Sequence, residues 1–270
     1  MRLSPATFTA KLTTKFTTKF TTKFTALALA IAFVLTPHDA VAADPCKFVA
    51  TGTATVAEVR DGRTLLLTDG RELRLAAIEA DDSGRDTLRS LVDGRVIRLE
   101  NPSVDQDRYG RVAAFIYAND TDSSIQEAMV FRGQARVSAR IGNKACADML
   151  LSAERAARAA RRGLWADPNF APLRSDNITR IEAARGRFAL IEGKVLSVRE
   201  SGATIYLNFG RRWTQDFTVT IPKRHRRKFS AAGIDTKLLE RRSVRVRGWI
   251  EQRSGPVIEA EAPEQIELVE

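Results

Sequence analysis

Two Asp-Gly pairs, at 61–62 and 69–70, constrain the fold of this chain more than any other feature. Each pair stands between short runs of apolar and β-branched residues, where Asp-Gly is a strong signal for a tight hairpin turn. The runs at 51–59, 64–68 and 73–78 are therefore predicted to be three strands joined by two turns.

A short helix and two further strands complete the predicted first unit. The helix begins at Asp82 or Ser83 and ends near Gly94, and the strands cover 96–99 and 112–117. Five strands interrupted by one helix fit a small Greek-key barrel of the OB type. Helices predicted at 124–132 and 145–162, each followed by a glycine, would pack against it. We therefore predict a mainly β fold with helices (α+β) over residues 43–166.

The second half of the chain also has an all-β pattern. A stretch rich in proline opens a predicted linker at 167–185. Beyond it, strands are predicted at 193–198, 204–209, 214–221, 243–250 and 257–266, with a helical stretch at 223–239. A helix between the third and fourth strands favours a second small, OB-like barrel over 186–270, although an SH3-like barrel has similar strand spacing.

Residues 1–42 are typical of a signal peptide. A basic segment precedes an apolar run at 26–35 that is too short to span a bilayer, and small residues at 40–42 suit cleavage. The alternative is an uncleaved membrane anchor. Cleavage predicts a secreted or periplasmic protein without a membrane attachment.

The chain has two cysteines, Cys46 and Cys146. Export to an oxidising compartment favours a disulfide between them, and two separate buried thiols are the alternative. Beyond the signal peptide the sequence has one histidine, His225, so a multi-histidine or cysteine-rich zinc site is excluded. Any hydrolysis must therefore use carboxylates, arginines and a hard metal ion.

Removal of residues 1–42 lowers the net charge from +10 to +6, because it takes away five basic residues and Asp39. A moderately basic exported protein suits a polyanionic partner such as nucleic acid. The basic run at 223–228 is a candidate phosphate contact, and Lys223 and Arg224 are its predicted binding residues. The alternative interpretation is the solvated start of a helix.

Charged residues also follow the strand-like runs of the first half. Arg74 lies in the third run, Glu79 and Asp82 follow it, and Arg111 ends the segment Asp107-Arg108-Tyr109-Gly110-Arg111. Arginines bind phosphate through two hydrogen bonds, and carboxylates hold a metal ion, so the combination suits phosphodiester chemistry.

The order and spacing of these residues over about 50–166 resemble the staphylococcal-type thermonuclease family, which cleaves DNA and RNA with calcium. The resemblance implies that Arg74 and Arg111 are catalytic arginines that bind the phosphate and stabilise its developing charge. Tyr109 would lie near a substrate phosphate. Asp82 stands where the family has the glutamate proposed as general base.

The metal-binding positions depart from the family pattern. Arg63 stands where the family has a metal-binding aspartate, and Glu79 replaces a second aspartate. Calcium prefers about six to eight oxygen ligands, so a guanidinium here makes calcium doubtful as a cofactor. Asp61 or Asp81 can compensate as a ligand, and Glu79 and Asp61 are the candidate metal ligands. Ala139 and Ile141 lie in the neighbourhood where the family type member has base-stacking aromatic residues.

Three functions compete on this sequence. The first is a protein that binds nucleic-acid phosphates, DNA or RNA, with a degenerate metal site and weak or absent phosphodiesterase activity. The second is an active calcium-dependent endonuclease, a metal-dependent hydrolase with rebuilt ligands. The third is a non-catalytic interaction module of the cell envelope. The loss of a metal ligand beside two retained arginines favours the first.

Overall fold

The structure is a computed structural model that describes residues 46, 48–101, 110–118, 121–139, 141 and 143–269. The predicted signal peptide and Tyr109 lie outside these residues. The chain consists of two units, Met1–Val41 and Ala42–Glu270, and the description below concerns the second. No helix of the described part is long and apolar enough to cross a membrane.

The two Asp-Gly pairs form turns of a β-meander. β1 (Val49–Val59) pairs antiparallel with β2 (Thr64–Leu67), which pairs antiparallel with β3 (Glu72–Leu75). The continuous strand predicted at 73–78 is wrong, because Ala77 has a φ of 66° and turns the chain out of the barrel. The chain then resumes as the short strand β4 (Ile78–Glu79).

Two later strands close the barrel. β5 (Val96–Asn101) pairs with β1, and β6 (Val112–Ala118) pairs antiparallel with β5 and parallel with β3. The resulting closed order is β1-β2-β3-β6-β5. Its core consists of side chains with 2 % exposure or less, including Leu65, Leu73, Ile97 and Phe115. The predicted α+β fold with an OB-like barrel is confirmed.

Helices cover the barrel on the outside. They are α1 (Arg85–Val92), α2 (Ile125–Phe131) and α3 (Lys144–Ala159). The buried Gln126 side chain ties α2 to β6, because it donates to one β6 carbonyl at 2.7 Å and accepts from one β6 amide at 3.2 Å. Between α2 and α3, β7 (Arg136–Val137) pairs antiparallel with β4.

The predicted disulfide is confirmed. Cys46 and Cys146 are bonded, with their Cα atoms 4.6 Å apart, and both are fully buried. The buried Tyr117 hydroxyl on β6 donates to the Cys46 carbonyl at 2.7 Å. The start of the described chain is thereby attached both to α3 and to the barrel.

The second half forms two sheets around its own apolar core. Its strands are β8 (Leu173–Arg174), β9 (Phe188–Lys194), β10 (Ser197–Ser201), β11 (Thr204–Asn208), β12 (Thr218–Pro222), β13 (Ser243–Trp249), β14 (Glu251–Gln252), β15 (Pro256–Glu259) and β16 (Ile266–Leu268). One sheet has the order β10-β11-β12-β15-β14 and the other β16-β13-β9-β8. The β12–β15 pair is parallel.

The segment predicted as a linker is built into this second half. Its strand β8 pairs parallel with β9, and its helix α4 (Ile178–Ala183) places Ile181 in the second core with no exposure. The helical stretch predicted at 223–239 follows β12 as α5 (Arg226–Ala231) with a 3-10 turn on either side. Gly233 stands between α5 and the second turn with a φ of 84°.

The two halves contact each other through an apolar cluster and a buried ion network. Trp165, which follows α3, packs with Phe188 at the start of β9. Arg247 on β13 has no exposed surface and pairs with Glu154 on α3 and with Glu267 on β16. These contacts fix the surface of the second half against the first, next to β4 and β7.

Candidate functional site

The turn between β1 and β2 brings Arg63 to the mouth of the barrel. One carboxylate oxygen of Asp61 accepts hydrogen bonds from the Arg63 and Thr64 amides, both at 2.8 Å, which closes the turn. A Cβ on Gly62 would lie 2.0 Å from the Asp81 carbonyl oxygen, so only glycine permits this approach. The turn therefore packs directly against the segment that follows β4.

Glu79 lies between two arginines. Arg63 donates a hydrogen bond from Nη1 to Oε2 of Glu79, and Nη2 of Arg74 lies 3.6 Å from Oε1. The exposed fractions of the Arg63 and Glu79 side chains are 16 % and 12 %, and that of Arg74 is 28 %. Both oxygens of the Glu79 carboxylate thus face a guanidinium.

Arg136 lies on β7, directly opposite Glu79 of β4 in the antiparallel pair that these two strands form. Its Nη1 donates to the Phe188 carbonyl at 2.7 Å, and its guanidinium lies 5.3 Å from the ring centres of Phe170 and Phe188. Its Nε is buried and has no hydrogen-bond partner among the described residues. The guanidinium is therefore held by aromatic rings and a single carbonyl.

Several arginine guanidiniums lie close together in this site. Burial, and next the charge of Arg74, lower the pKa of Arg63 to about 10. Arg111 and Arg136 add to this lowering, whereas Asp61 opposes it. Burial also lowers the pKa of Arg136. A bound anion would offset the repulsion among these guanidiniums, which is the chemistry of a phosphate site.

Comparison with known proteins agrees with this geometry. Residues 78–167 match the family model described as Staphylococcal nuclease homologue. The chain contains a staphylococcal nuclease-type domain. No curated protein matches the chain. The match begins at β4, so Glu79, Asp82 and Arg111 lie within it, whereas Arg63 in the β1–β2 turn and Arg74 on β3 precede it.

In the nuclease-type domain, two of the predicted catalytic residues, Arg74 and Arg111, lie near Arg63, whereas Asp82 is exposed. Arg111 directly precedes β6, the strand that runs parallel to β3 with Arg74, and both charges act on Arg63. Asp82 is exposed in a 3-10 turn. Asp81 caps this turn, because its carboxylate accepts from the Ser83 amide at 3.1 Å, and the helix predicted to begin at Asp82 or Ser83 begins after the turn, at Arg85. The predicted role of Tyr109 lies outside the described residues.

The predicted metal ligands of the nuclease-type domain are engaged in other contacts. Glu79 faces Arg63 and Arg74, and one oxygen of Asp61 is used by the backbone of its own turn. Within the described ranges, no group of three or more His, Cys, Asp or Glu side chains is arranged to hold a metal ion. These residues, as they stand, do not fit a calcium site, which needs several free oxygen ligands.

The second half forms a wall opposite the nuclease-type site. A cavity of about 430 Å³ is lined by Arg63, Glu79 and Arg136 from the first half and by residues of α4, β9 and β13 from the second. Arg180, Arg187, Phe188 and Trp249 are the residues of this wall that the sequence did not single out. Their position next to Arg63 could not be predicted, because these residues are far from Arg63 in the chain. Only the pairing of β4 with β7 and the packing of the two halves bring them together.

Lys223 and Arg224, the predicted phosphate contacts of the second half, do not line this cavity. Lys223 lies 3.3 Å from Glu200, and Arg224 lies 3.8 Å from Glu261. Hydrogen bonding to Arg226, with a smaller effect of Lys223, lowers the pKa of Glu200. Part of the positive charge of this run is therefore balanced by neighbouring carboxylates.

Proposed function

We propose that this protein is exported and binds the phosphates of nucleic acids through the arginines of its nuclease-type domain, without metal-dependent cleavage. The observation that carries the proposal is the ion pair between Arg63 and Glu79. A guanidinium occupies the carboxylate that a calcium ion would need. In this proposal the positive charge at the site is supplied by arginine side chains and not by a metal ion.

Fixed arginines are suited to binding a phosphodiester but not to activating water. A guanidinium donates two parallel hydrogen bonds to phosphate oxygens and stays protonated at neutral pH, even where burial lowers the pKa of Arg63 to about 10. A hydrolytic metal ion also lowers the pKa of a bound water, which an arginine does not do. In this proposal Arg74 and Arg111 hold the phosphate, and Arg63 stands in for part of the metal charge.

The disulfide supports the export part of the proposal, because such bonds form and persist in oxidising compartments. Expression in a bacterium with a periplasm, followed by mass measurement of the mature chain, tests it. Cleavage after Ala42 is the expected result. A cytoplasmic product that retains residues 1–42 would contradict export.

Binding is tested with a fluorescently labelled single-stranded oligonucleotide, in EDTA and in calcium. We expect equal affinity in both conditions and a steep loss of affinity with salt, because phosphate contacts release counterions. Arg74→Ala and Arg111→Ala should each weaken binding by about tenfold or more. Arg199→Ala, which removes an exposed arginine on β10, is the matched control and should have little effect.

The same preparations distinguish the competing functions. Calcium-dependent cleavage by the unmodified chain that Arg111→Ala abolishes would establish the endonuclease and overturn the proposal. Complete absence of salt-dependent binding would instead favour the interaction module of the cell envelope.

A further inference from the structure

The cavity between the two halves has the dimensions of a small ligand site. Its volume of about 430 Å³ lies in the range of ligand pockets in proteins, near the lower end. One wall carries Arg63 and Arg136 of the nuclease-type domain, and the other carries Arg180 and Arg187 of the second half. A ligand in this cavity would contact both halves at once.

The polar part of the cavity is positive. Arg180 forms no ion pair with a described carboxylate, and the guanidinium of Arg187 donates to the Ala183 carbonyl at 2.9 Å. The buried Nε of Arg136 has no partner among the described residues. The acidic side chains of the lining are Glu79, which is paired with Arg63, and Asp81. The excess of guanidiniums favours an anion, and their planar geometry suits phosphate.

The apolar part of the cavity includes an indole ring that is open to a ligand. Trp249, at the end of β13, is 46 % exposed although it lies inside the cavity lining. Its indole packs against the Phe188 ring at a steep angle, with ring centres 6.2 Å apart and 74° between the planes. Phe188 thus holds the indole in place, and a flat ligand can stack on it.

A second cavity, which shares Trp249 and Phe188 with the first, is lined within the described part of the chain by carboxylates and not by arginines. Its volume is about 460 Å³, and Glu251, Glu259 and Glu261 line it together with Glu79. No lysine or arginine of the described residues lines it, although Arg253 and Arg224 pair with these carboxylates. A phosphate chain is disfavoured there, so a bound strand would leave the arginine cluster on the side of Arg180 and Arg187.

We propose that the cavity lined by Arg136, Arg180, Arg187 and Trp249 is a subsite for one unpaired nucleotide, next to the phosphate held by Arg74 and Arg111. This subsite rests on the proposed function and extends it, because it selects single strands. The base stacks on Trp249, and its phosphate binds the guanidiniums of α4 and the residues after it. A paired base cannot enter, since its partner strand would have to occupy the wall made by the second half.

The test compares single-stranded oligothymidylate with a duplex of the same length, using fluorescence anisotropy and the full chain. We expect Trp249→Ala to weaken single-strand binding by about tenfold, as for the loss of one stacked base, and to leave the weaker duplex binding unchanged. Trp249→Phe keeps a ring and should retain most of the affinity. Trp213→Ala removes an indole that is 66 % exposed outside the cavity lining, and it should have no effect.

The phosphate half of the subsite is tested by the salt dependence of binding. The double variant Arg180→Ala and Arg187→Ala should reduce the slope of log affinity against log salt by about 1.4, since each phosphate contact to a single strand contributes about 0.7. Circular dichroism and the Tm of each variant show whether it is folded.

The outcomes separate the subsite from the function on which it rests. If Trp249→Ala binds like Trp213→Ala while Arg74→Ala still loses affinity, the subsite is wrong and phosphate binding by the nuclease-type domain stands. If Trp249→Phe loses as much as Trp249→Ala, stacking is not the cause, and the subsite is likewise wrong. If the unmodified chain binds neither probe, both the function and the subsite are overturned.

Discussion

Arg247 donates one hydrogen bond to each oxygen of the Glu154 carboxylate, at 2.9 and 3.0 Å, and neither side chain has any exposed surface. The same carboxylate accepts from the Val137 amide at 2.6 Å, next to the β7 position of Arg136. This pair joins β13 of the second half to α3 of the nuclease-type domain. It therefore holds the wall that carries Trp249 against the site.

The first prediction concerns this pair. Replacing Arg247 with methionine leaves the Glu154 charge buried without its main partner, and we expect the free energy of unfolding to fall by about 3–5 kcal/mol. Urea unfolding monitored by circular dichroism measures the change. Arg174→Ala breaks an exposed pair with Asp176 and should cause little measurable loss. Equal effects of the two variants would contradict the role of the buried pair.

The second prediction concerns the disulfide. The Cys46–Cys146 bond closes a loop with a sequence separation of 100 residues. The chain-entropy treatment of such a loop gives a stabilisation of about 4–5 kcal/mol. The double variant Cys46→Ser and Cys146→Ser should lose that amount in urea unfolding. A reducing agent should lower the Tm of the unmodified chain and leave the Tm of the double variant unchanged.

The third prediction is a loss of stability in acid. Burial by itself disfavours ionised Glu267, but the charges of Arg247 and Arg245 outweigh it, with Arg158 adding to them, and lower the pKa of Glu267 below its ordinary value of 4.5. A lowered folded-state pKa stabilises the fold fully above the unfolded value, and this stabilisation is lost as the pH falls through the folded-state pKa.

The free energy of unfolding should therefore decrease as the pH falls below 4.5. In Glu267→Gln the decrease should be shallower, because the variant cannot take up this proton. Glu72→Gln, which changes an exposed carboxylate on β3, should keep the full decrease. A pH series of urea unfolding curves makes the comparison, and identical slopes for all three proteins would exclude Glu267 as the cause.

The fourth prediction concerns the metal site. Arg63→Asp removes the guanidinium that pairs with Glu79 and adds a carboxylate in its place. We expect calcium to raise the Tm of this variant, since an ion that binds only the folded state stabilises it. The unmodified chain and the control Arg63→Met should show no calcium-dependent rise. A rise in the unmodified chain would show that Arg63 does not displace the metal ion.

The fifth prediction concerns the packing after α2. Gly133 has a φ of 70°, and an added Cβ would lie 2.1 Å from the Arg162 carbonyl oxygen. Gly133→Ala should therefore lower the free energy of unfolding by about 3 kcal/mol or more. Gly186 has a similar φ of 72° with nothing within 4 Å, so Gly186→Ala should cost only about 1 kcal/mol. Thermal unfolding of the two variants separates the close contact from the backbone strain.

Local sequence patterns are sufficient to predict most of the first barrel. The Asp-Gly turns set the β1–β2–β3 meander, because two-residue turn signals and alternating apolar residues act over short distances. The break at Ala77 was missed, since alanine carries no sequence signal for a φ of 66° and only the departure of β4 from the barrel requires it. The helix predicted at 145–162 ends at Ala159 in the structure.

Part of the candidate site could also be predicted from the sequence, and part of it could not. The resemblance to the thermonuclease family placed Arg63 at a metal-binding position and Arg74 at a phosphate-binding position on the third strand. Their shared contact with Glu79 depends on the approach of Gly62 to Asp81, which no local pattern contains.

The sequence by itself determined the β-meander, the pair of cysteines available for a disulfide, and the presence of one arginine, Arg63, where the family resemblance implies a metal-binding carboxylate. The first two follow from residue types and short spacings, and the third follows from the resemblance. The tertiary structure alone decided that Glu79 is bound by Arg63, that Arg136 lies beside it, and that Trp249 faces the same cavity. Those contacts join strands far apart in the chain, and their positions result from the packing of two cores around one buried ion pair.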